Sequence, residues 1–367
     1  MMTAWRACKA RAVSSTWCSR ARPASFCSTL GVRLFMRVPL PAAIMTTSSG
    51  ASVKLVSVLR LEVLFCMFKS LGKSGALRRL ALIIGGLWLV LALEGCSAVR
   101  MGYNSAATLS YWWLDSYYDF DDAQSVHLRQ DLALVHDWHR AQELPRIDQT
   151  LQQLQALARG NVNASQLCSV WGDVQRRALA PLERLAPTFA AIAPSLQDTQ
   201  FTHMRAEFAR RDRQWRQDWI DGSAEERLQR RLNLLRERVE TLYGALESPQ
   251  TDALRAALAQ SSFSPERHFR EIQRRHQDAL QVLQAIRAGT IPPDKATAAL
   301  IGVLHRSVQP PDPDDRHYLE QVTEQSCAAL ASLHNSATPS QRKRLLESLQ
   351  AYRDDIRALA PPSIRTP

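Results

Sequence analysis

Glycine and catalytic signatures are both scarce in this chain. Only 14 of its 367 residues are glycine. The sequence contains neither a glycine-rich phosphate-binding loop nor the Gly-x-Ser-x-Gly turn of serine hydrolases. These absences exclude the common nucleotide-binding enzymes and the α/β-hydrolases, and they lead us to expect a protein that has no cofactor and is not an enzyme.

Acidic residues are scarce only in the first quarter of the chain. The sequence has 46 Lys+Arg against 35 Asp+Glu, a net charge of +11. Thirteen of the basic residues and two of the acidic ones precede Cys96, so the rest of the chain is neutral. A basic surplus normally indicates a nucleic-acid or anionic-membrane partner. Because this surplus lies in a segment that we expect to be removed, we predict no nucleic-acid partner.

The segment that ends at Cys96 has the features of an export signal. An apolar stretch over 80–93 is too short for a comfortable membrane-spanning helix. It follows a basic segment that contains Lys69, Lys73, Arg78 and Arg79. Leu93-Glu94-Gly95-Cys96 then resembles the bacterial lipobox, with Glu94 where small or apolar residues are usual. The resemblance implies cleavage before Cys96 and lipidation of its thiol. The alternatives are an uncleaved anchor and a non-lipidated secreted form.

The export signal divides the chain. We interpret 1–66 as a segment upstream of the true start at Met67, with a genuine long leader as the alternative, because an export signal normally opens the chain. Residues 67–95 are then the signal peptide. An anchor-proximal aromatic segment follows over 96–120, and a helical domain occupies 121–367.

Three of the seven cysteines remain after cleavage, namely Cys96, Cys168 and Cys327. With Cys96 acylated, the other two form an even pair in an oxidising compartment, where disulfides persist. We therefore predict a Cys168–Cys327 disulfide, with two buried free thiols as the alternative.

Apolar residues repeat every three or four positions from Asp121 onward, as amphipathic helices require. The longest stripe runs from Leu167 to Ile192 and contains Pro181 and Pro187, which should kink or split that helix. No alternating pattern competes with this period. The sequence predicts an all-α fold, an array of long antiparallel helices with essentially no sheet.

Helix-start signals recur between the stripes. Three segments place Gln three residues after a capping side chain, which is the spacing of a capping box. Their cap and Gln residues are Asp121 and Gln124, Gln197 and Gln200, and Thr338 and Gln341. Further helix starts are predicted at Ser223, Ser248, Ser264 and Asp314.

Two resemblances follow from these motifs. The residues from Cys96 to Leu359 resemble a family of uncharacterised proteobacterial lipoproteins known as a domain of unknown function, through segments 111–124, 138–145 and 333–342. The resemblance implies no activity. The Thr338-x-x-Gln341 start is similar to the pentapeptides of Spy-type periplasmic chaperones, although Ala337 replaces their Leu.

The segment before Asp121 has the densest aromatic content in the chain. These rings could lie at the membrane–water interface or form a ligand surface made of Tyr111, Trp112, Trp113, Tyr117 and Tyr118. The alternative, which we favour, is that they close one end of the helical core. A ligand surface would require at least two of Trp112, Trp113 and Tyr117 to be exposed.

Two polar sets have a structural explanation. His136, His139 and Glu143 share one helical face, but three ligands on one helix cannot surround a metal ion, so we predict no metal site. The arginines and tryptophans of 205–219 resemble a binding patch. Because Glu207, Asp212 and Asp218 are interleaved with them, we expect a salt-bridged exposed helix instead.

These patterns place the protein in the bacterial cell envelope. Cys96 would hold it to the membrane, and Ser97 after the anchor favours the outer membrane, facing the periplasm. We expect it to bind an envelope protein or polymer, without a small-molecule cofactor. The alternative is an envelope enzyme acting on peptidoglycan or lipid through a site that no motif reveals.

Overall fold

The computed structural model describes residues 98–360. The predicted leader, Cys96 and Ser97 lie outside these residues. Twelve α-helices are present between Ala98 and Leu359, and no strand occurs in this part of the chain. The all-α prediction is confirmed. The helices are α1 Ala98–Asn104, α2 Ala106–Tyr118, α3 Asp122–Trp138, α4 Leu144–Leu157, α5 Ala164–Ile192, α6 Asp198–Trp219, α7 Ala224–Tyr243, α8 Ser248–Gln260, α9 Pro265–Arg287, α10 Pro293–Val308, α11 Pro313–Asn335 and α12 Pro339–Leu359.

All three predicted capping boxes form, at the starts of α3, α6 and α12. Ser223 and Ser264 cap α7 and α9 as predicted. α8 also begins at Ser248, as predicted, whereas the start predicted at Asp314 is one residue late. Glu247 caps α8 one residue before Ser248, and Asp312 caps α11, which places Pro313 rather than Asp314 at the first helical position. Proline is favoured there because it has no N–H to leave unpaired.

The capping glutamines also bond to one another across the fold. The amides of Gln250 and Gln341 bond reciprocally, each Nε2 lying 2.9 Å from the other's Oε1. Gln200 Nε2 donates to Gln124 Oε1 at 2.8 Å in the same way. All four glutamines are buried. Each pair therefore joins two helix starts that are far apart in sequence, in addition to capping its own helices.

Gln341→Ala should destabilise the fold more than an ordinary cap substitution. It removes the reciprocal bond with Gln250 and the bond from Gln341 Nε2 to the carbonyl of Ala245, which leaves the amide of the buried Gln250 without this partner. We expect a loss of about 2 kcal/mol. Gln166→Ala is the control, because Gln166 closes an exposed capping box with Asn163 and should cost about 0.5 to 1 kcal/mol. Urea denaturation of both variants measures the difference, and equal losses would contradict a stabilising role for the pair.

The prolines of α5 do not split the helix. It continues from Ala164 to Ile192 with Pro181 and Pro187 inside it. Of the two predicted effects, a kink or a split, the split is therefore wrong. The contacts of α5 with α3, α10 and α11 supply the tertiary packing that offsets the two backbone hydrogen bonds that the prolines cannot make.

Two large apolar clusters form the core. Cluster I contains Leu128, Phe201 and Met204 and joins α2, α3, α5, α6, α9 and α10. Cluster II contains Leu232 and Leu254 and joins the end of α6 to α7, α8 and α11. Smaller clusters lie along α12, where it packs against α4 and α1. Within residues 98–360, no helix has the length and apolar character that crossing a membrane requires.

Candidate ligand-binding cavity

A partly open apolar cavity of about 300 Å³ lies beside cluster II. Its walls come from α4, α5, α7, α8, α11 and α12. The apolar lining includes Leu154, Leu235, Val239, Leu330 and Leu349. A volume of about 300 Å³ is about that of ten water molecules, which leaves room for a small ligand.

Small side chains help to leave this space open. α7 packs directly on α8 and α12, while α11 contributes the wall that includes Ser326 and Ala329. On the α8 side, Ala257 and Ser261 also line the cavity. Larger residues at these four positions would occupy part of the volume.

Two arginines of α7, Arg231 and Arg238, line the cavity, whereas no Asp or Glu does. Burial lowers the pKa of both guanidinium groups. Arg231 donates to the carbonyl of Leu258 at 3.3 Å, and its guanidinium carbon lies 4.6 Å from the ring centre of Phe263. Its buried Nε has no hydrogen-bond partner within the described residues. The cavity thus combines an apolar lining with positive charge.

A neutral pair, Tyr243 and His334, lies at another part of the wall. The Tyr243 hydroxyl is 2.9 Å from His334 Nδ1, and His334 Nε2 is 2.8 Å from the carbonyl oxygen of Gly160. Because Nε2–H donates to that carbonyl, Nδ1 accepts from the hydroxyl. Burial raises the pKa of Tyr243 to about 12 and lowers the pKa of His334. Both groups therefore stay uncharged at neutral pH.

The aromatic segment lies elsewhere, and none of its five candidate residues lines the cavity. Tyr111 is buried with its hydroxyl 2.8 Å from Ser125 Oγ, and Tyr118 packs on Phe120 and Phe189. Trp113 and Tyr117 are half-buried and meet edge to face. Of Trp112, Trp113 and Tyr117, only Trp112 is exposed, at 44%. This placement favours the interpretation that the segment closes the end of the core.

The end of α3 and the π-helical turn His139–Glu143 that follows it form a largely buried polar cluster around Tyr103. The Tyr103 hydroxyl is 2.9 Å from His139 Nδ1, and His136 Nε2 is 3.0 Å from the Tyr103 carbonyl oxygen. Glu143 is 1% exposed and pairs with Arg146 at 2.7 Å and Arg177 at 3.5 Å. Over residues 98–360, no group of three or more His, Cys, Asp or Glu side chains could hold a metal ion.

The arginine- and tryptophan-rich part of α6 is a salt-bridged helix. Glu207 pairs with Arg210 and Arg211, each at 2.6 Å. Trp219 is buried in cluster II, and Trp215 packs against that cluster.

Cys168 and Cys327 form a disulfide with their Cα atoms 5.6 Å apart, which confirms the predicted pairing. The bridge joins α5 to α11. Its sequence neighbours Leu167 and Ser326 both line the cavity, so the disulfide fixes two walls of this site relative to each other.

Comparison with known proteins identifies a family but no activity. A family model described as "Family of unknown function (DUF6279)" matches residues 116–306, just over half of the chain. The matched residues include α7 and α8, which form two walls of the cavity, and end before α11. No curated protein and no solved structure matches the chain. The match supports the resemblance to a family of unknown function, whereas the lipoprotein character and the Spy-type likeness stay predictions.

Proposed function

Because the chain belongs to this DUF6279 family, whose description names no activity, we propose from its own residues that it is a lipid-anchored periplasmic protein that binds an apolar ligand. The cavity beside α7 is the observation that supports this proposal. Its volume of about 300 Å³ reaches the lower end of the range of small-molecule sites, which are mostly apolar with a few placed polar groups. We propose an apolar ligand in place of the envelope protein or polymer that the sequence alone led us to expect as the partner.

The lining of the cavity favours binding over hydrolysis. Cleavage of glycosidic bonds needs a pair of carboxylates, and none of the lining residues is Asp or Glu. A nucleophilic cysteine paired with histidine is also missing from this lining, because Cys168 and Cys327 are joined in the disulfide. We therefore prefer a binding protein to an envelope enzyme acting on lipid or peptidoglycan.

Two further observations support the proposed location. Disulfides persist in oxidising compartments such as the periplasm, which agrees with export through the predicted leader. The exposed large apolar side chains of residues 98–360 all lie on α1, α2 and α3, the helices that follow Cys96 most closely. They are Val99, Met101, Trp112, Val126 and Leu134. Apolar groups near the anchor would lie close to the membrane surface.

Filling the cavity should abolish ligand binding without unfolding the protein. Ala329 lines the cavity, so the ring of Ala329→Phe would enter it and occupy the volume of a ligand. Ala328→Phe is the matched control, because Ala328 is exposed on the same helix. We expect the neutral fluorophore N-phenyl-1-naphthylamine to bind wild type and Ala328→Phe alike, and Ala329→Phe at least tenfold more weakly.

Thermal melts of the three proteins accompany the titration, and a similar melting temperature for Ala329→Phe shows that the fold is intact. Equal binding by both variants would place the fluorophore outside the cavity and contradict the proposed function.

A further inference from the structure

We propose that the ligand of the α7 cavity is a single-chain anionic amphiphile, a fatty-acid carboxylate whose acid group binds Arg231 while its alkyl chain follows the apolar wall. This inference rests on the proposed function, since it names the class of molecule that the cavity takes.

The charge of the lining selects an anion. Arg231 and Arg238 are the two charged residues that line the cavity, since His334 is neutral. Both are cations in surroundings that penalise charge, as the lowered pKa of each guanidinium shows. A charge removed from water is costly unless an opposite charge and hydrogen bonds compensate it. No ion pair involves Arg231 within residues 98–360. An incoming carboxylate would supply the missing charge.

Arg231 presents the group that such an anion needs. Its guanidinium is held between the carbonyl of Leu258, at 3.3 Å, and the face of Phe263. Its buried Nε remains without a hydrogen-bond partner. A guanidinium binds a carboxylate through N–H groups arranged as a fork, and such charge-assisted bonds are among the stronger ones in proteins. Arg231 is therefore oriented by two contacts. The remaining N–H groups on its Nη atoms, rather than the buried Nε, are the donors that a ligand in the cavity would meet.

The apolar wall that continues from Arg231 suits an alkyl chain. Leu235, Val239 and Leu242 follow it along α7 and line the cavity as far as Tyr243, a distance of about 18 Å along the helix axis. A volume of about 300 Å³ equals that of about ten water molecules, each close in size to a methylene group. The cavity therefore accommodates one chain of about ten to twelve methylenes.

Arg238 lies seven residues after Arg231, two helical turns along α7, and also lines the cavity. Its positive charge would add a weaker, longer-range attraction for the same anion. A neutral ligand of equal length would gain from neither arginine. Discrimination between an acid and an alcohol therefore tests the assignment.

The experiment is displacement of N-phenyl-1-naphthylamine by dodecanoate and by dodecanol, which differ only in their head groups. Wild type should bind dodecanoate at least tenfold more tightly than dodecanol. Arg231→Gln should reduce this preference to about twofold or less, the part that Arg238 supplies, and leave dodecanol within about twofold of its wild-type affinity. Arg236→Gln is the matched control, because Arg236 is exposed on the same helix and does not line the cavity. It should keep the preference.

The outcomes separate this inference from the proposed function. If dodecanoate and dodecanol displace the fluorophore equally from wild type, the anionic class is wrong although the cavity binds apolar chains. If dodecyl phosphate is preferred tenfold over dodecanoate, the carboxylate is wrong. If neither chain displaces the fluorophore, the proposed function itself fails. The comparison of dodecanoate with dodecanol on wild type tests the anionic class of the ligand even if Arg231→Gln does not fold.

Discussion

Cys96→Ala should release the protein from the membrane or stop its maturation. The thiol of Cys96 is the predicted site of acylation, and without it the lipoprotein signal peptidase has no modified substrate to cleave. A soluble periplasmic protein or an unprocessed precursor should therefore replace the membrane-bound form almost completely. Fractionation together with incorporation of labelled palmitate measures both effects.

The matched control for this substitution is Ser97→Ala, which changes the neighbouring residue and leaves the thiol in place. It should remain membrane-bound and labelled. A wild-type chain that takes up no palmitate and is recovered as a soluble protein would show that Cys96 is not an anchor. The binding cavity would then belong to a freely diffusing protein.

Loss of the Cys168–Cys327 disulfide should cause the largest change in stability. The bridge closes a loop with a sequence separation of 159, and the chain-entropy model gives about 5 kcal/mol for a loop of this length. Substituting both cysteines by alanine should lower the free energy of unfolding by about this amount. Cys327 is also buried, so its truncation adds a smaller packing loss.

Urea denaturation of wild type with and without a reductant separates these two contributions, because the reductant breaks the bridge and keeps both side chains. Reduced wild type and the double alanine variant should both be less stable than oxidised wild type, and the double variant should lose slightly more. A change of less than about 1 kcal/mol on reduction would mean that residual structure restricts the unfolded chain nearly as much without the bridge as with it. The chain-entropy account of the disulfide's contribution to stability would then fail.

Local features of this fold could be predicted from the sequence. The boxes at Asp121, Gln197 and Thr338 form as expected because capping depends on residues three positions apart. The disulfide could be predicted because Cys168 and Cys327 are the two cysteines that remain if the leader is removed and Cys96 is acylated, and because the predicted export implies an oxidising compartment. The capping residues of α8 and α11 lie one and two residues before Ser248 and Asp314, because Glu247 and Asp312 compete with these neighbouring polar residues for the same cap.

The cavity could not be predicted in this way. It depends on the distance between α7 and α11, which tertiary packing sets, and its lining comes from residues as far apart in sequence as Leu154 and Leu349. One signal was present in the sequence. Arg231 and Arg238 have the spacing of the apolar stripe of α7, and a cation near such a stripe is unusual unless it has a partner or a ligand. The dense aromatic segment was the more conspicuous pattern, yet it mostly packs into the core.

The most direct test of the binding function is photo-crosslinking in cells. A diazirine-bearing fatty acid is supplied to cells that express the full chain, the protein is crosslinked by light, and the labelled peptides are mapped by mass spectrometry. Mapping distinguishes cavity label from acyl label on Cys96. We predict label on peptides of α7 and α11, reduced at least tenfold in Ala329→Phe and unchanged in Ala328→Phe. Label that is absent from these two helices, or equally strong in both variants, would contradict the existence of a ligand-binding cavity.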